Sequence, residues 1–249
     1  MKNRVYSYLP FLPAAFIVLG AAFLAAAPLA AQTKTNARKP DAAAATPSAS
    51  SAEASKQLAD TTRYSYEFTQ PEFYVRHIVI DHAASGRGKL TFERKGEEIA
   101  IDEPIELSTS ALERVLAGWT ELRFLESTEN YQAHKQFPHL GIMRLKMERD
   151  SRKRTAEFNW TNNKNASLLA NEYRRLADQA ILVFDIAVAR ESQPLNAPKL
   201  MDEIELQLKR NGLSDPKQLV PLLQDVSTDE HLPLIARNHA LRLIKQIAK

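Results

Sequence analysis

The chain has 249 residues, with 33 Lys and Arg against 30 Asp and Glu, and no cysteine. That absence excludes disulfides, thiolate chemistry and cysteine-ligated metal. Residues 1–31 carry Lys2 and Arg4 and no acid, so the remainder is balanced at 31 against 30. A near-neutral body exerts little general attraction on polyanions, so nucleic acid is not an expected partner.

Lys2 and Arg4 precede an uncharged run, residues 5–33, containing LPFLPAAFIVLGAAFLAAAPLAA. A charged start, an apolar middle and a small-residue end form a secretory signal, with cleavage expected after Ala31. The run also approaches the ~20 residues that span a bilayer, so a retained anchor is the second reading. Residues 32–61 are rich in Ala, Ser, Thr and Pro and nearly devoid of large apolar side chains. Such a segment cannot offset its ordering entropy and reads as a disordered linker.

A globular body follows. FYVRHIVIDH, from Phe73 to His82, is rich in β-branched and aromatic residues and predicts a strand. Its consecutive Ile78, Val79 and Ile80 suggest that both faces are covered. A turn, AASGRGK, leads into Leu90, Phe92 and Arg94 alternating with Thr91 and Glu93, which predicts a hairpin. Ile99 and Ile101 open a third strand. Ser108, Thr109 and Ser110 supply a helix cap. Leu112, Val115, Leu116 and Trp119 then form one apolar stripe. A short strand is expected at residues 122–125 and a long loop at 126–140.

Met143, Leu145 and Met147 predict a strand, returned across Asp150 and Ser151 by Ala156, Phe158 and Trp160. A long amphipathic helix is expected over residues 165–192. After Pro194 and Pro198 come three short helical patterns, with Gly212 ending the first and Pro221 disturbing the second. The fold class expected is α+β: an antiparallel sheet of two or more hairpins packed by two helices, with a C-terminal appendage of about three short helices. The chain divides into residues 1–31, 32–61, an α+β domain at 62–193 and a helical region at 194–249.

The segment DPKQLVPLLQDVSTDEHLPLIARNHALRLIKQIAK, residues 215–249, resembles one helical hairpin of the HEAT type. That resemblance implies a protein-interaction scaffold. The order of signal, Ala/Ser-rich tether and small α+β body resembles uncharacterised exported proteins of environmental bacteria. It implies a periplasmic or secreted address and no mechanism.

His77, Asp81, His82 and Ser85 contain the residue types of a base, its orienter and a nucleophile. Strand alternation puts His77 and Asp81 on one face and His82 on the other. Tyr131, His134, Phe137 and His139 lie in the long loop, and two histidines without a third ligand do not make a metal site. A binding lid is the functional reading of that loop and a plain connector the other. Arg149, Arg152, Lys153 and Arg154 make a basic hairpin tip suited to an anionic surface component, or a charge-protected strand pair. SGRGK lacks the spacing and following helix of a phosphate loop, and no GxGxxG occurs. No cofactor is expected. The favoured function is a non-enzymatic binding or scaffold module of the cell envelope, with another envelope protein or an anionic surface component as partner. Two alternatives are a small exported hydrolase using His77, Asp81 and His82, and an envelope protein anchored through residues 5–31.

Overall fold

The computed structural model describes residues 61–248. The signal segment and the linker up to residue 60 therefore lie outside the described residues. Six strands follow in chain order: β1 (Arg63–Thr69), β2 (Val75–Ala83), β3 (Arg87–Arg94), β4 (Ile101–Glu106), β5 (Ile142–Arg149) and β6 (Arg152–Phe158). They form one antiparallel sheet in the order β4-β3-β2-β1-β5-β6. Helix α1 (Thr109–Glu121) joins β4 to β5, and α2 (Lys164–Ser192) follows β6. The fold is α+β, as the residue pattern indicates.

The unexpected element is β1. Its Tyr64, Tyr66 and Phe68 are buried and alternate with half-exposed Ser65, Glu67 and Thr69. It sits at the sheet centre, between the two hairpins read from the sequence. Residues 122–125 form no strand. Leu122 caps α1 and Arg123 adopts φ 44°, which turns the chain while Leu122 and Phe124 still enter the core. An apolar alternation arises here without any strand partner.

One sheet face carries Tyr66, Ile80, Leu90, Phe92, Leu145 and Phe158, all almost fully buried, and packs against α1 and α2. Ser108 caps α1 by accepting from the Ala111 amide, and Asn163 caps α2 by accepting from Ala166. Each satisfies one otherwise orphaned helix donor. The opposite face is polar. Val79 lies there half-exposed between Glu67 and Thr91, so burial on both faces of β2 is not observed.

Hairpin geometry follows from local chemistry. Arg149 pairs with Arg152 across a two-residue tip in which Asp150 takes φ 54°. Asp is one of the few non-glycine types that tolerate this region. In SGRGK, Gly86 turns at φ 83°. At Gly88 a side chain would strike the backbone of Asp81 and His82 on β2.

The C-terminal region contains α3 (Ala197–Lys209), α4 (Val220–Thr228) and α5 (Leu234–Ile247). Pro216–Leu219 form a 3₁₀ turn before α4, and Pro221 falls in the first turn of α4, where its missing N–H is harmless. These helices enclose a second, aliphatic core of Met201, Ile204, Leu219, Leu223, Val226 and Leu243. The N-terminal part of α2 belongs to the sheet core, whereas Leu182 and Ile186 belong to the second.

Candidate functional site

The histidines of β2 part company across the sheet. His82 is 0% exposed and stacks on Tyr64. Its Nδ1 lies 2.8 Å from the Ala83 carbonyl and its Nε2 lies 2.8 Å from the Tyr173 hydroxyl. A carbonyl can only accept, so Nδ1 carries the proton and Nε2 accepts from Tyr173. Trp119 Nε1 donates to the same hydroxyl at 2.8 Å. The three side chains thus form one satisfied chain, from Trp119 through Tyr173 to a neutral His82. Burial lowers the His82 pKa and raises that of Tyr173, so both stay neutral at pH 7. This network ties β2, α1 and α2 together.

His77 lies on the polar face. Its Nε2 is 3.2 Å from Glu67 and its Nδ1 is 3.3 Å from Glu93. Glu67 in turn accepts from Arg144, which also pairs with Glu157. A charge ladder therefore crosses β3, β2, β1, β5 and β6. Asp81 shares this face but does not hold the His77 ring, and Ser85 sits exposed in the β2–β3 turn. The sheet separates His82 from His77 and Asp81, so they do not converge.

The loop at 126–140 is sewn down. Tyr131 is buried against Phe124 and Phe158. The Ala133 amide donates to the Trp160 carbonyl, and the Gln132 side chain bonds Asn159 in both directions. Phe137 packs edge-on against Trp160, while His134 and His139 remain exposed. Among the described residues no three metal-capable side chains gather.

The basic hairpin is largely committed within the fold. Arg154 points to the helix-covered side and donates to the Phe124 and Glu129 carbonyls, anchoring that loop. Arg149 donates to Thr62, Arg152 pairs with Glu126, and Lys153 pairs with Glu148.

Two arrangements were not anticipated. The first is a clamp around Glu172 of α2, which is 6% exposed. Its carboxylate accepts from Arg114 of α1, from Arg175 and from Ser214. Arg114 and Arg175 also donate to the Ser214 and Leu213 carbonyls, holding the segment after α3 against α1 and α2. The second is a cleft of about 540 Å³ between the edge strand β4 and the C-terminal half of α2. Ile80, Leu90 and Leu176 form its floor, and Ile105, Val183 and Phe184 its walls. Gln179 and Gln218 bring amide groups to one end, bonded to each other at 3.1 Å. Glu103 and Glu191 also line it. Apolar walls with a few polar groups in a volume of this order are the usual form of a small-molecule site. The cleft joins residues from 80 to 219, so no local motif signals it.

Comparison with known proteins finds no matching family model and no match among curated proteins.

Proposed function

We propose that this chain is a non-enzymatic, exported binding module of the cell envelope that takes an apolar ligand in the β4–α2 cleft. The cleft carries the reading: burying a ligand against Ile105, Val183 and Phe184 gains roughly 25 cal/mol per Å² of apolar surface removed from water. The separation of His77 and Asp81 from His82 supports a binding role over hydrolysis by those residues. The N-terminal run supports export, to the periplasm or the medium. The helical hairpin resemblance at residues 215–249 supports a module that also meets a partner protein.

The test is titration with the uncharged fluorophore N-phenylnaphthylamine. Saturable binding with enhanced emission is expected. Ala187→Trp and Val183→Trp, both at exposed cleft positions of α2, should weaken it at least tenfold without changing the melting temperature. Binding that ignores both substitutions overturns the proposal. The intact mass of protein from its native host tests the address: loss of residues 1–31 is expected, and their retention identifies the anchor.

A further inference from the structure

Two carboxylates that line the cleft have no ion-pair partner among the described residues. Glu103 lies on β4 between Ile101 and Ile105, on the side of the strand that faces α2. It is half-buried and has no cationic partner among the described residues. Glu191 lies in the last turn of α2, where the helix dipole presents its negative end and favours a cation. It is solvent-exposed, at the rim of the cleft, and has no ion-pair partner among the described residues. By contrast, Glu106 in the same cleft is paired with Arg87, and Asp102 on the outer side of β4 is paired with Lys89.

Unpaired negative charge beside low-dielectric walls draws positive charge and repels negative charge. Local rules broken without compensation inside the fold are expected where a ligand supplies the compensation. We propose, resting on the binding reading above, that the cleft selects a cationic amphiphile. Its apolar body lies against Ile105, Val183 and Phe184, and its ammonium or guanidinium group sits between Glu103 and Glu191. The volume of about 540 Å³ suits a single small molecule and not a folded partner.

The experiment compares decylammonium, decanol and decanoate, each below its aggregation threshold, in displacing N-phenylnaphthylamine from the full chain. Decylammonium is expected to bind about fivefold tighter than decanol, and decanoate more weakly than either. The preference should shrink as salt rises, since rim charges are screened. In the double variant Glu103→Gln, Glu191→Gln the three affinities should converge while decanol affinity holds. That variant should also be at least as stable as the natural chain, because it removes one unpaired half-buried charge and one that opposes the helix dipole.

Equal binding of all three probes by the natural chain overturns the charge selection and leaves the apolar cleft standing. Binding of none, with the fluorophore also indifferent to Ala187→Trp, overturns both. An unchanged preference order in the double variant overturns the assignment to these two residues. So does a double variant that only self-associates, since Glu103 would then be guarding the β4 edge.

Discussion

The two cores of this protein are built from different materials. Beneath the sheet lie Tyr64, Tyr66, Phe92, Trp119, Phe124, Phe158 and Tyr173, with His82 among them. The apolar residues of the C-terminal core are Ala, Val, Leu, Ile and Met without an aromatic ring among them, and the buried His239 of α5 beside them turns to Asp202 and Glu205 of α3. Aromatic rings carry directional preferences and polar handles, so the sheet core depends on geometry as well as volume. An aliphatic core asks mainly for volume and tolerates repacking. Helix α2 serves both cores, with Glu172 in its first third clamping the segment after α3 to α1.

That contrast can be broken by substitutions that keep volume nearly constant. Tyr173→Phe removes one oxygen and strands both Trp119 Nε1 and His82 Nε2. A loss of about 3 kcal/mol is expected in urea unfolding. A loss below about 1 kcal/mol would show that the chain from Trp119 to His82 is unimportant.

Glu172→Ala should cost about 2 kcal/mol, because two guanidinium groups and the Ser214 hydroxyl lose their acceptor. The value is set below that of a fully buried pair, since Arg114 is 41% exposed and can rehydrate. Faster amide exchange over the α3–α4 segment would locate the damage at the clamp.

The third prediction concerns pH. The folded-state pKa of His82 is depressed below its ordinary 6.5 by burial. Its contribution to stability is therefore complete above that value and lost as pH falls towards the folded pKa. His82→Gln keeps an acceptor for Tyr173 but takes no proton. Its stability should fall less than that of the natural chain between pH 7 and pH 5, measured by urea midpoints.

In the aliphatic core, Leu223→Met should cost under about 1 kcal/mol, in contrast to Tyr173→Phe. The smallest effect is expected at Tyr66, whose hydroxyl is buried without a hydrogen-bond partner among the described residues. Tyr66→Phe should leave stability unchanged or raise it by about 1 kcal/mol, with thermal unfolding as the measurement. The two tyrosines stack face to face at 5.1 Å, so this pair isolates the hydroxyl from the ring.

The chain's own periodicities determined most of its elements. Period-two alternation wrote both hairpins, and the apolar stripe at Leu112, Val115, Leu116 and Trp119 wrote α1. The opposition of His77 and His82 was also legible, because it follows from alternation alone. Tyr64, Tyr66 and Phe68 show the same alternation, but their place at the sheet centre depends on pairing with β2 and β5, far along the chain. At residues 122–125 the alternation misled, because burial beneath a helix end needs no strand partner. The cleft and the unpaired state of Glu103 were decided only by tertiary structure. Which cation a carboxylate meets, and which apolar walls leave a gap, depend on contacts between residues up to about 140 positions apart, from Ile80 to Leu219. Side-chain period is a local property of the backbone, whereas a cavity and an uncompensated charge are properties of the whole packing.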